Sequence, residues 1–352
     1  MPLRPARRDV ARILVIRRRG LGDALLSVAM IEALASAYPE AILDVLIDRP
    51  FVPLVEQMLT RSNVVTWPPS AGSSLPIWIR ELRSRHYDLV VDPLSTPRTA
   101  LWTALSGARW RVGFDLRWRS WAYNIAVARK SESGRDVDQY SGESVQDLTR
   151  AMGLATLPWT PPRITAQHSD VLDDNYRAWR DRLALDPSTD LALVLSAGWP
   201  TKAWPVQHVV GLLDLARQGG RRCILVPGPG DDAMTAKIMA AAPDVVVAPP
   251  TGLGELADLL SRCSAYVGTD GGAQHVATVV GVPKVTLFGP TDALSWNRDH
   301  PFHVAVQTDE PCSPCSFHEC PVPGHPCMTN IMPERVWTEI LRVTAADGEE
   351  YR

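Results

Sequence analysis

Lysine is scarce in this chain: there are four, against 32 arginines among 352 residues. Long apolar runs are missing altogether. No window approaches the roughly 20 consecutive apolar residues of a membrane-spanning helix. The basic N-terminus is followed by a short apolar run, "ILVI", too brief for the core of a signal peptide. These absences point to a cytoplasmic protein. Cysteine is sparse too, with six in all. In that compartment thiols or metal ligands are the expected forms rather than disulfides. No internal repeat and no low-complexity tract is visible.

What is present suits a globular enzyme-sized chain. Apolar residues make up 45% and charged residues 21%, the balance of a folded protein rather than a disordered one. The length exceeds one ordinary core and fits two domains. Net charge is only −3, but it is split. Residues 1–150 carry 21 Lys and Arg against 16 Asp and Glu, whereas residues 151–352 carry 15 against 23. A basic first half suits an anionic partner such as nucleic acid, a phosphorylated lipid or a membrane surface; a solvated arginine-rich face is the plain alternative.

Short apolar runs alternate with amphipathic stretches of helical spacing throughout. Strands are expected at "RILVIR", "ILDVLID", "NVVTWP", "DLVVDP" and "RWRVGF", and again at "LALVLSAG", "RCILVPG", "DVVVAPP", "AYVGTD" and "KVTLFG". Alternation of this kind predicts an α/β fold with parallel sheets covered on both faces. The proline-rich stretch "GLATLPWTPPRITAQHSD" separates the two series. The expected domains are 1–165 and 166–352, with the C-terminal helix free to pack back on the first. Ligands of doubly wound sheets bind beyond the carboxyl ends of the strands, so functional residues are sought there.

Four loops meet that condition. "RRRGLGDALLS" joins a strand to a helix, but no Gly-Lys-Ser/Thr follows, and Leu25 stands where a dinucleotide fingerprint has its third glycine. Asp23 is left as either a helix cap or a general base. In "SAGWPTKAWP", Thr201 and Lys202 offer a hydroxyl and an ammonium suited to phosphate, and Pro205 reads as the first helical position. In "PGPGDDAM", Asp231 can hold ribose hydroxyls or cap a helix. In "VGTDGGAQHVATVVGVP", Gly271 and Gly272 bare N–H groups at a helix start, Asp270 precedes them, and His275 lies one turn in. Three of the four follow strand ends of one domain and all favour a diphosphate-linked nucleotide. A further cluster, Cys312, Cys315, Cys320 and Cys327, interleaved with His318 and His325, reads either as packed free thiols or as a structural zinc site.

In this order, "ILVIRRRGLGDALLSVAMIEALASAYPEAILDVLID", "WPTKAWP", "GPGDD", "VGTDGGAQHVATVVGVPKVTLFGPTD" and the cysteine loop resemble glycosyltransferase family 9, the ADP-heptose:lipopolysaccharide heptosyltransferases. The resemblance runs from about residue 11 to 343. It implies a GT-B glycosyltransferase fold of two Rossmann-like domains facing a cleft, the first binding acceptor and the second the nucleotide-sugar. It implies inverting heptose transfer from ADP-heptose to an anionic glycolipid acceptor of the lipopolysaccharide inner core. No cofactor or metal is required, no nucleic acid is involved, and peripheral contact with the inner membrane is compatible with it. By the same resemblance Asp23 is the base and Lys202, beside Thr201, meets the diphosphate. Asp231 meets the ribose, and Asp270, Gly271, Gly272 and His275 meet the donor phosphate and sugar. Arg17, Arg18 and Arg19 are candidates for gripping an anionic acceptor. The chain departs from the family pattern at Ser196, Ala197 and Gly198, where His-Pro-Gly-Ala is frequent, and at Asp231, where Glu is usual. It departs again at "GRDVDQY", which lacks an expected His. A transferase with another donor or acceptor, an epimerase of the same fold and a catalytically idle binding protein are the competing readings.

Overall fold

The computed structural model describes residues 5–18, 20–59, 64–67, 75–129, 139–154, 158–162, 172–196 and 198–345. It divides into two compact units, Met1–Pro162 and Arg163–Arg352.

The first unit is built on a six-stranded parallel sheet. Its strands are β1 (Arg12–Ile16), β2 (Ile42–Leu46), β3 (Val64–Trp67), β4 (Leu89–Asp92), β5 (Trp110–Asp115) and β6 (Ile125–Ala128). Their spatial order is β3-β2-β1-β4-β5-β6. The second unit repeats the plan with β7 (Asp190–Val194), β8 (Arg222–Leu225), β9 (Val246–Val247), β10 (Ala265–Thr269), β11 (Lys284–Leu287) and β12 (His303–Val306). The order there is β12-β11-β10-β7-β8-β9. Numbered from its own first strand, each sheet therefore reads 3-2-1-4-5-6, the doubly wound Rossmann arrangement.

The apolar runs explain the central strands. Ile13, Leu14, Val15 and Ile16 are all fully buried, as parallel strands covered on both faces must be. The expected strands form, and β6 and β12 complete each sheet at an edge. The stretch "DALLSVAMIEALASAY", whose spacing reads as a single helix, lies in two, Leu21–Leu26 and Val28–Ala37. The Ser27 hydroxyl at the junction donates to the Asp23 carbonyl at 2.8 Å, a local bond that bends helices. Pro205 precedes rather than opens its helix, Val206–Gln218. The C-terminal helix Pro333–Ala345 buries Val336, Ile340 and Val343 in the core of the second unit, among Leu193, Leu212 and Val285.

The reversal of strand order lies between β1 and β4 in the first unit and between β7 and β10 in the second. Asp23 follows β1, Lys202 follows β7, and Asp270 follows β10. Each unit thus carries its candidate residues at the carboxyl ends of the strands flanking its switch point.

Candidate active site

In the first unit the chain leaves β1 through Arg17 and turns at Gly20. Gly20 has φ of 80°, a conformation that side chains other than glycine rarely adopt. A Cβ there would also stand 2.8 Å from Asp23 Oδ2. Arg17 is buried and locks the turn: its Nε donates to the Asp23 carbonyl and an Nη to Asp23 Oδ1, both at 2.8 Å. Asp23 itself keeps 31% of its side chain exposed. The carboxylate is therefore held by one oxygen, and Oδ2 accepts no hydrogen bond among the described residues. No side-chain cap forms at this helix start, so Asp23 is not spent on capping.

Of the three arginines expected at the acceptor, the two described ones each pair with a carboxylate. Arg17 belongs to Asp23. Arg18 donates to Asp48 Oδ1 at 2.9 Å and lies over the Trp102 ring at 5.6 Å. Arg19 lies outside the described residues.

Sequence reading passed over Asp92 at the end of β4, fully buried and receiving Tyr123 Oη at 2.8 Å and the Ser95 N–H at 3.0 Å. Burial pushes its carboxyl up to about 6 against those hydrogen bonds. With no exposed atom, it serves the strand end rather than a ligand.

In the second unit three loops converge on Asp270. Lys202, in the short turn Pro200–Lys202, donates to Asp270 Oδ2 at 2.7 Å. Its ammonium also sits 4.4 Å from the centre of the Trp199 ring. Thr291 Oγ1 donates to the same oxygen at 2.7 Å, and Gln274 Nε2 donates to Oδ1 at 2.6 Å. Lys284 closes the set, donating to Gln274 Oε1 at 2.9 Å. All five side chains are buried. Gln274, Thr291 and Lys284 carried no sequence assignment.

The helix Gly272–Val280 starts beside this cluster with Gly271 at its N-cap and no side-chain cap. Its first N–H groups keep their partial positive charge for a ligand. His275 is buried one turn in, edge-on to Trp296, with Nδ1 unpaired among the described residues. Burial, aided by Lys284 and Lys202, lowers its pKa to about 3, so the imidazole is neutral at physiological pH. Thr201 is turned away from the cluster: its hydroxyl donates to the Phe317 carbonyl at 2.8 Å.

Asp231 stands at the N-cap position of helix Asp232–Ala241, but its side chain makes no cap. Its Oδ2 accepts the Gly228 N–H at 2.8 Å and the Ser196 hydroxyl. Two of the departures from the family pattern, Ser196 and Asp231, thus touch one another.

The four clustered cysteines, with His325 and Thr201, line a cavity of about 50 Å³. Burial raises the Cys327 thiol to about 11. Among the described residues, no three His, Cys, Asp or Glu side chains are placed to hold a metal ion. What the loop visibly does is support Lys202's turn, through the Phe317 carbonyl on Thr201 and His318 against Trp199 at 4.0 Å.

The family model for glycosyltransferase family 9 (heptosyltransferase) matches residues 77–325. The chain belongs to glycosyltransferase family 9. Among its family relatives, the lipopolysaccharide heptosyltransferase 1 of Pseudomonas aeruginosa is 23% identical over 94% of this chain and 97% of its own length. Two solved Escherichia coli structures share the fold. ADP-heptose lps heptosyltransferase II has a TM-score of 0.69 at 20% identity, over 95% of this chain and 98% of that one. Heptosyltransferase WaaC with ADP-2-deoxy-2-fluoro heptose has a TM-score of 0.66 at 20% identity, over 94% and 98%. In this family-9 chain, the switch point of each sheet holds one set of polar residues, Arg17 and Asp23 in the first and the Asp270 cluster in the second.

Proposed function

We propose that this family-9 chain transfers heptose from ADP-heptose to a lipopolysaccharide inner-core acceptor, with inversion at the anomeric carbon. The observation that carries the reading is the Lys202–Asp270 pair beside the uncapped start of helix Gly272–Val280. A buried ammonium and free helix N–H groups are what a diphosphate needs. The first unit serves the acceptor and the second holds the donor. Names of relatives support the choice of sugar: they are lipopolysaccharide heptosyltransferases, and one structural neighbour was solved with an ADP-heptose analogue.

In the proposed reaction Asp23 Oδ2 takes the proton of the acceptor hydroxyl while that oxygen bonds to the anomeric carbon. The bond from the anomeric carbon to the diphosphate oxygen breaks, and ADP departs with the electron pair. Lys202 and the helix N–H groups compensate the charge that grows on ADP. Arg17 orients the base instead of gripping the acceptor. His275, neutral, serves as a hydrogen-bonding wall of the donor site.

Peripheral contact with the cytoplasmic face of the inner membrane is part of the proposal. Among the described residues no helix is long and apolar enough to cross a membrane. Two tryptophans, Trp118 and Trp121, are nonetheless 63% and 55% exposed on the turn Arg117–Ala122, the first of them flanked by Arg117 and Arg119.

Calorimetric titration with ADP, UDP, GDP and CDP, with and without a chelator, tests the donor assignment. Selective ADP binding that survives chelation is expected, as is at least a tenfold loss on Lys202→Ala, roughly the cost of one charge-assisted contact. Preference for another nucleotide would remove the heptose assignment while leaving the fold and family in place.

A further inference from the structure

Lys284 opens β11, in register with Tyr266 of β10 on one side and His303 of β12 on the other, with no exposed surface. An ammonium is costly to bury, and such groups are retained where their hydrogen bonds do something specific. Its ammonium donates to the amide oxygen of Gln274 at 2.9 Å. Lysine has donors and no acceptor, so it dictates which way that amide faces. With Oε1 toward Lys284, Nε2 must point to Asp270, and it does so at 2.6 Å. Asp270 is thereby held on Oδ1 by the amide, leaving Oδ2 for Thr291 and Lys202, each at 2.7 Å.

We propose that Lys284 and Gln274 are positioning residues, which through Asp270 hold the Lys202 ammonium where it meets the donor's diphosphate. This rests on the phosphate-binding reading of Lys202 given above. On that reading the relay acts on the diphosphate and leaves the adenosine to other residues. A Gln274 amide free to turn would set its oxygen against the Asp270 carboxylate, and the carboxylate would rotate to avoid it. Lys202 would follow Asp270, since the two are joined by a short charge-assisted bond in a buried place.

The experiment is a calorimetric double-mutant cycle with the full chain, reading ADP and, separately, adenosine. Lys284→Met keeps the length of the side chain and removes the donor. The expected result is an approximately tenfold weaker ADP affinity, typical of coupling within one hydrogen-bonded network. Adenosine affinity should stay at the wild-type value, because the relay ends at the phosphate-binding ammonium. In a Lys202→Ala background, Lys284→Met should cause no further loss of ADP affinity. A merely structural role would weaken both ligands and would add to the Lys202 effect; either finding overturns the relay.

If Lys284→Met does not fold, the paired variant Lys284→Met with Gln274→Met carries the same test. It fills the volume and leaves neither an unpaired ammonium nor an unpaired amide. The same ADP-specific loss supports the relay, and wild-type ADP affinity refutes it. The two readings fail differently. If Lys202→Ala leaves ADP affinity unchanged, the phosphate assignment itself is wrong. If Lys202→Ala weakens ADP and Lys284→Met does not, only the relay is wrong.

Discussion

Asp23 is made useful by the atom that Arg17 leaves alone. A carboxylate with both oxygens bound would be a structural anchor; one with a single oxygen pinned is oriented and still able to accept a proton. The pinning bond runs from a buried guanidinium to Oδ1 at 2.8 Å, and Gly20 leaves open the space beside Oδ2. Asp23→Asn keeps size and packing but removes the base. Heptosyl transfer is expected to fall by about 10²–10⁴-fold, the usual contribution of a positioned general base. ADP affinity should not change, since the donor site belongs to other residues. Transfer near the wild-type rate in Asp23→Asn would remove the base assignment. At this scale the sequence was informative about type and silent about partners. Asp23, Lys202 and Asp270 were legible because each follows a strand end. Arg17 was not, because whether an arginine after a strand points outward or folds back is decided by a carboxylate six residues away. Lys284 had one sign in its favour: two of the four lysines of an arginine-rich chain stand in the same buried cluster.

At the scale of elements, the long apolar strands could be read directly, whereas β6 and β12 could not. Both are four-residue edge strands with mixed burial, Ile-Ala-Val-Ala and His-Val-Ala-Val, and carry fewer bulky aliphatic side chains than a central strand such as β1. The break at Ser27 was hidden for a related reason: the helical periodicity runs straight through it, and only the back-bond to Asp23 reveals the bend. The turn Arg117–Ala122 is an element with a prediction of its own. Its two exposed indoles are large apolar surfaces with polar tips, and arginines flank the first of them. That combination suits the interface of an anionic bilayer. Co-sedimentation with vesicles containing phosphatidylglycerol is expected, with much weaker binding to neutral phosphatidylcholine vesicles. Replacing both tryptophans by serine (Trp118→Ser, Trp121→Ser) should reduce the bound fraction severalfold, the loss of two interfacial anchors. Equal sedimentation of the double variant would place membrane contact elsewhere or nowhere.

At the scale of the whole molecule, the buried bases of the second unit tie its stability to pH. Lys284 falls from 10.5 to about 7, chiefly through burial and against the pull of Asp270. Above pH 7 the folded chain has therefore released a proton that the unfolded chain still holds. The unfolded state binds more protons, so stability must rise with pH across this window. His275 acts in the same direction at lower pH, between about 3 and 6.5, and is already neutral in both states by pH 7.5. Opposing groups enter later. The Cys223 and Cys327 thiols are raised to about 12 and about 11 from 9.0, so they cost stability only as unfolded thiols ionise. Asp92, raised from 3.8 to about 6, costs stability as pH climbs through that lower range and is settled by pH 7.5. Between pH 7.5 and 8.5 Lys284 is thus the dominant buried group changing state. The thermal midpoint is expected to increase by a few degrees over that unit of pH, the effect of roughly 1.4 kcal/mol per proton difference on a domain of this size. In Lys284→Met the increase should vanish while the midpoint at pH 8.5 stays close to that of the parent. A rise that persists in Lys284→Met would assign the proton to another group and remove the buried, titrating lysine from the core of the second unit.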